Sequence, residues 1–209
     1  MTPEGALDRG ASELAIPLTG EAREKLLQYA ALLTKWNKTY NLTAIRGNSE
    51  IVIQHVLDSL SVLPHLPVGE SLADVGSGSG APGLPLAIAR PQWQVTLNEA
   101  NGKKAAFLRQ AAIELALPNL TVHEGRVEAW QPAQRFALVI SRAFAELAQF
   151  IESCRHLVEP GGWVAAMKGV FPRAEIDAVP RGWDCSRVTA LQVPFVAAER
   201  HLVLCRGIA

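Results

Sequence analysis

Apolar positions recur at helical spacing early in the chain. In "TGEAREKLLQYAALLTKWNKTY", Leu26, Ala30, Leu33 and Trp36 fall near one face, and Thr19 stands where a hydroxyl caps a helix N-terminus. That pattern predicts an amphipathic helix. A second helical pattern begins near Ser49, runs through Val52, Val56, Leu60 and Leu63, and is closed by the prolines of "LPHLPVGE". Residues 1–66 therefore predict a helical extension that is part of one compact domain.

From residue 67 to 209 the period changes. "SLADVG" predicts a strand, "PGLPLAIAR" a helix, "WQVTLNE" a strand and "KKAAFLRQAAIELAL" a helix. "LTVHEG" and "FALVIS" predict two further strands with a short connection between them. A helix follows over residues 146–157, and "PGGW" turns the chain into the strand "WVAAMKG". Such alternation predicts an α/β core built on a parallel sheet with helices on both faces. The last segments, "VTALQVPF" and "RHLVLCRG", predict a β-hairpin added at the sheet edge.

The chain has 209 residues, enough for one well-filled core and too few for two full-sized domains. No run of about 18 uncharged apolar residues is present to span a bilayer, and the first 20 residues lack the basic start and apolar stretch of a secretion signal. A soluble, cytoplasmic protein without membrane association is expected. Cys154, Cys185 and Cys205 show no C-x-x-C spacing and predict buried free thiols in a reducing compartment, with no metal site. Twenty basic residues balance twenty acidic ones, so any nucleic-acid partner must be held by a local patch.

The stretch "SLADVGSGSGAPGLPLAIARP" carries the chemistry. Gly78, Gly80 and Gly83 satisfy G-x-G-x-x-G after a first strand, a spacing that suits close approach of a ligand to the backbone. No G-K-[ST] follows, which excludes a P-loop. Asp74 at the strand end opposes a pyrophosphate and suits a ligand carrying ammonium and sulfonium groups, which favours S-adenosylmethionine over a dinucleotide. Glu99, at the end of the second strand, is placed to accept hydrogen bonds from ribose hydroxyls. A nicotinamide oxidoreductase remains an alternative resting on the glycine spacing alone.

"WNKTYNLTAIR", "HVLDSL", "DVGSGSGAPGLPLAI", "GKKAAFLRQ", "GRVEAW", "ISRAF" and "MKG" occur in an order and spacing that resembles the glucose-inhibited division protein B family over residues 20–205. The resemblance implies a Rossmann-like class I S-adenosylmethionine-dependent methyltransferase fold. It also implies methylation of N7 of a guanine in the 530 loop of 16S ribosomal RNA. Carried over by position, it puts cofactor binding at Gly76 and Ala81, at Val127 and Glu128, and at Arg142, alongside Asp74, Gly78 and Glu99. Ala137 departs from the aspartate usual in the family, and Ala81 from a bulkier apolar residue.

Guanine N7 carries an in-plane lone pair and no proton, so attack on a sulfonium methyl needs alignment rather than a general base. An N-P-P-[YF] motif for exocyclic amines is absent after the fourth strand, where Ser141-Arg142-Ala143-Phe144 stands instead. Asn41, His55 and Arg142 are candidates for orienting the substrate, Arg142 either at the cofactor carboxylate or at guanine O6 and N7. His55 and Asp58, three apart, share a helical face. Lys35, Lys38, Arg46, Lys103, Lys104, Arg109 and Lys168 are candidates for a basic rim on RNA phosphates. The expected partner is 16S ribosomal RNA or the small ribosomal subunit, with the protein a monomer. A methyltransferase acting on another RNA or a small molecule, and a non-catalytic regulator that binds S-adenosylmethionine, are the alternatives.

Overall fold

The computed structural model describes residues 1–67 and 69–208. Short apolar runs bounded by turns become strands buried on both faces, as a parallel sheet requires. The strands are β1 (Ser71–Val75), β2 (Gln94–Glu99), β3 (Leu120–Glu124), β4 (Phe136–Arg142), β5 (Val158–Lys168), β6 (Trp183–Ala190) and β7 (His201–Gly207). They form one sheet in the order β3-β2-β1-β4-β5-β7-β6. The first five are parallel neighbours, and β7 runs antiparallel between β5 and the edge strand β6. The expected hairpin is therefore present, with β6 beginning earlier than its apolar pattern indicates.

The helices are α1 (Pro3–Glu13), α2 (Gly20–Tyr40), α3 (Asn48–Ile51), α4 (Asp58–Leu60), α5 (Gly83–Ala89), α6 (Gly102–Glu114), α7 (Leu147–Cys154) and α8 (Arg173–Asp177). The Thr19 hydroxyl accepts from Ala22 N, as expected of the cap on α2. Helix α1 lies outside the predicted pattern because its buried face is made largely of small residues, Ala6, Gly10 and Ala11 with Leu7. A Cβ at Gly10 would overlap the Leu57 side chain, so this helix docks by close approach rather than by a stripe of large residues. Between α3 and α4 the chain widens into a π-helical turn, Val52–Leu57. The helix predicted over 146–157 ends at Cys154 and closes in a 3-10 turn, and "PGG" lies within β5 as a register shift rather than before it.

One apolar cluster runs unbroken from Leu26, Tyr29 and Leu33 of α2 through Leu57 and Leu60 to Leu84, Leu97 and Phe107 on one side of the sheet. A second cluster packs Phe150 and Ile151 of α7 on the other side. Cys185 and Cys205 are joined in a disulfide across the β6–β7 hairpin, and Cys154 is a buried free thiol. This corrects the expectation of three free thiols. Residues 20 apart in sequence become neighbours only once the hairpin register is set.

Tyr29 ties the helical extension to the sheet. Its fully buried hydroxyl donates to the carbonyl of Ser79, inside the glycine-rich turn after β1, at 2.8 Å. Tyr29→Phe leaves that carbonyl without its donor and should lower stability by about 1–3 kcal/mol. Chemical denaturation of the two proteins side by side measures the loss.

Candidate active site

The strand order reverses between β1 and β4, and in open α/β sheets that reversal opens a crevice at the carboxyl ends of the strands. Ser141 Oγ donates to Val75 O at 2.6 Å and holds the two strand ends together at this point. The glycine-rich turn leaves β1 here. Gly76, Gly78 and Gly80 adopt φ of 69°, 57° and 100°, a region in which a side chain is strained. Gly76 N and Ser77 N both donate to Asn98 O, at 2.9 and 3.0 Å, which folds the turn over the end of β2.

Two carboxylates fix this corner. Glu99 Oε2 accepts from Gly78 N at 2.8 Å, and Oε1 accepts from Asn101 N at 2.7 Å. Asp74 Oδ2 accepts from Gly83 N at 2.9 Å, while Oδ1 has no partner among the described residues. A Cβ on Gly83 would lie 2.8 Å from the Cβ of Asp74, so only glycine permits this approach. Asp74 is wholly buried, and burial pushes its carboxyl up to about 7. This corrects the reading of Asp74 as an open counter-ion: it anchors the start of α5 from beneath the turn. Beside Glu99, Gly125 N donates to Glu99 O, and the buried Val127 opens the following turn with Glu128 exposed after it. Gly76 and Gly78 of the turn, Glu99 at the end of β2 and the turn that leads to Val127 are thus tied to one another by hydrogen bonds at the carboxyl ends of β1 and β2.

Arg142, the last residue of β4, is gripped by the π-helical turn. Its Nη1 donates to Asp58 Oδ2 at 3.0 Å and to Gln54 O at 2.9 Å. Its Nη2 lies 2.6 Å from His55 Nδ1. A guanidinium only donates, so His55 Nδ1 accepts and its proton sits on Nε2, which points to Thr43 Oγ1 at 3.1 Å. Burial first, and the Arg142 charge second, pull His55 down to about 3, so the ring is neutral at physiological pH. The other oxygen of Asp58 accepts from Arg200 Nε, at 2.9 Å. One buried carboxylate therefore orients two guanidiniums 58 residues apart in the chain. Both line a cleft of about 400 Å³, together with Gln54, Lys168 and His201.

The structure separates the remaining candidates. Asn41 is the left-handed cap that ends α2, at φ 49°, and its side chain meets Arg46 rather than the cleft. His55 acts on Arg142 from a buried position and is not itself presented to a substrate. Lys168 is bound to Glu175 at 2.7 Å and to Ala145 O, and Arg109 to Glu124 at 2.7 Å, so neither is a free cation of the rim. Lys38 and Arg46 share a small groove with Asn41, Lys35 lies on another groove beside Glu114, and Lys103 is exposed at the start of α6 with Lys104 next to it. Ala81 is buried, and Ala137 faces Gly69, where an added Cβ would lie 3.0 Å from the Ala137 Cβ. Sequence reasoning missed Tyr29, Gln54 and Arg200. Arg200 carries no local signal, because its partner Asp58 is 142 residues away.

The raised carboxyl of Asp74 sets a pH dependence. An acid whose folded value lies above its unfolded value of about 3.9 binds more protons when folded, so its contribution to stability falls as pH rises from about 4 to about 7 and stays lost above. The stability of Asp74→Asn relative to the parent should therefore rise across that window and level off above pH 7.5. Denaturation midpoints of both proteins at several pH values check the sign, and a difference independent of pH would contradict it.

Comparison with known proteins agrees with this geometry. The sequence model of the GidB family, described as rRNA small subunit methyltransferase G, matches residues 22–203. The chain is 52% identical over 197 residues to ribosomal RNA small subunit methyltransferase G of Chromobacterium violaceum, with 94% of each chain covered. It is 51% identical to the protein of that name from Burkholderia cenocepacia, covering 95% of this chain and 90% of the other. Among solved structures it is similar to the glycopeptide N-methyltransferase MtfA complexed with sinefungin. That likeness has a TM-score of 0.64 at 14% identity, over 74% of this chain and 87% of that one. The fold is accordingly the Rossmann-like fold of class I methyltransferases, and with matches that span nearly its whole length the chain belongs to the GidB family of small-subunit ribosomal RNA methyltransferases.

Proposed function

We propose that this chain transfers a methyl group from S-adenosylmethionine to N7 of a guanine in the 530 loop of 16S ribosomal RNA. The observation that carries the reading is the cleft lined by Arg142 and Arg200, which opens at the carboxyl ends of β4 and β5, one strand over from the glycine corner at the end of β1. S-adenosylmethionine, when bound, supplies an electrophilic methyl group on its sulfonium sulfur. The corner fits such a molecule. Its glycines let a ligand approach the backbone, Glu99 offers carboxylate oxygens to ribose hydroxyls, and the apolar Val127 with exposed Glu128 flanks the place for an adenine.

The acceptor side is made by the two guanidiniums. Fixed donors favour the O6 acceptor of guanine, which leaves the lone pair of the adjacent N7 free to attack. Asp58 and His55 are positioning residues: they hold Arg142 in one rotamer, and Asp58 does the same for Arg200. No base is required, since guanine N7 bears no proton, and the neutral, fully engaged His55 is consistent with a reaction driven by alignment in a water-poor cleft. The helical extension works as part of the same unit, because Tyr29 and His55 reach the two halves of the site from it.

Lys35, Lys38, Arg46, Lys103 and Lys104 are the rim candidates without an ion pair among the described residues, a short set in keeping with a chain of balanced charge. We place the enzyme in the cytoplasm as a monomer without membrane association, acting on 16S ribosomal RNA or on the small subunit. No helix among the described residues is long and apolar enough to cross a membrane.

Incubation with radiolabelled S-adenosylmethionine and small-subunit RNA lacking the modification, followed by cleavage at N7-methylguanine, tests the reading. Label at a single guanine of the 530 loop is expected. Label elsewhere would point to another RNA acceptor, and cofactor binding without transfer would point to a regulator. For the rim, Lys103→Glu combined with Lys104→Glu should weaken RNA binding and flatten its dependence on salt by a slope of about two. Cofactor affinity, measured by calorimetry, should stay at the parent value.

A further inference from the structure

Beyond the end of β5 the chain runs Gly169-Val170-Phe171-Pro172, and this short segment leaves two consecutive apolar side chains in solvent. Val170 is 72% exposed and Phe171 45%. Single exposed apolar residues are common on any protein, but a pair with an aromatic ring at the mouth of a polar cleft is not explained by folding. The segment is held in place. Pro172 is buried and restricts the backbone of Phe171, and Arg173 N donates to Phe171 O.

The ring adjoins the acceptor cleft through His201 and itself lines a neighbouring groove with Arg173, Ile176 and Val188. It stands edge-on to the imidazole of His201, centroid to centroid 5.6 Å, and His201 lines the cleft with Lys168 and Gly169. His201 is itself fixed by a 2.6 Å hydrogen bond between its Nδ1 and Gly169 O. The guanidinium of Arg173 lies 5.6 Å from the centre of the Phe171 ring. An exposed aromatic face beside a planar cation is the chemistry that receives an unpaired nucleobase by stacking, without reading its hydrogen-bonding edge.

We propose that Phe171, flanked by Val170 and Arg173, is a stacking platform for the base of a nucleotide neighbouring the target guanine in the RNA strand. This rests on the reading of the cleft as the acceptor site for RNA. A platform just outside the cleft holds the strand on one side of the extruded guanine, so the two guanidiniums need grip only the target base. Contacts of this kind add substrate affinity and register without touching the reacting atoms.

The test is steady-state methyl transfer to small ribosomal subunits lacking the modification, with Phe171→Ala, Phe171→Leu and Phe171→Tyr compared with the parent. Loss of one stacked base should raise KM for the subunit by on the order of tenfold in Phe171→Ala and Phe171→Leu. kcat and the affinity for S-adenosylmethionine should hold, and Phe171→Tyr should keep the parent KM. Thermal unfolding of each variant confirms that it is folded, and Phe171→Leu preserves apolar cover over His201 if the alanine variant is unstable. A parent-like KM in Phe171→Leu overturns the platform while leaving the methyltransferase reading intact. Absence of transfer by the parent protein removes both.

Discussion

The Asp58 carboxylate, buried and shared between Arg142 and Arg200, is the interaction on which the wall of the cleft depends. A charge taken out of water is costly unless it is both paired and hydrogen-bonded. Here each oxygen meets one guanidinium, so the carboxylate is fully engaged. Removal of one arginine leaves one oxygen without its partner, and only removal of both strands the buried charge, a loss on the order of 3–5 kcal/mol. The same two bonds draw the π-helical turn, the end of β4 and the start of β7 into one wall. A helix of ordinary register would not be obliged to widen there, and such widened turns are frequent at functional sites. In this one the Gln54 carbonyl and the His55 ring are both turned to Arg142.

The cofactor side rests on a different use of acids. Glu99 is buried with both oxygens on backbone amides, and Asp74, wholly buried, holds the amide of Gly83. The two carboxylates therefore hold the turn at Gly78 and at Gly83, and the glycines between them leave its backbone open to a ligand. Tyr29 adds a third hold from α2. Positioning of this kind costs nothing at the moment of reaction, because it is complete before any substrate arrives.

A chain with as many acids as bases has no general attraction for RNA, and the tertiary structure narrows the basic rim further by pairing Lys168 with Glu175 and Arg109 with Glu124. What remains is a few scattered cations and a cleft with two fixed guanidiniums. That arrangement suits recognition of a folded RNA by shape and by one extruded base more than by a field of charge.

The sequence by itself determined the architecture and the glycine-rich turn after the first strand. Alternation of short apolar runs with helical segments settles a parallel sheet, because buried strands and amphipathic helices have different periods, and the Asp74 to Gly83 turn is a local feature of a few adjacent residues. Glu99 was legible for the same reason, at the end of the next strand. Helix α1 was not, since its docking face is made of small residues that carry no hydrophobic period. The disulfide, the pairing of Lys168, the burial of Asp74 and the union of Asp58 with Arg200 were decided only by the tertiary structure. Each depends on which residues far apart in the chain meet once the strands are registered, and neither spacing nor composition encodes that distance.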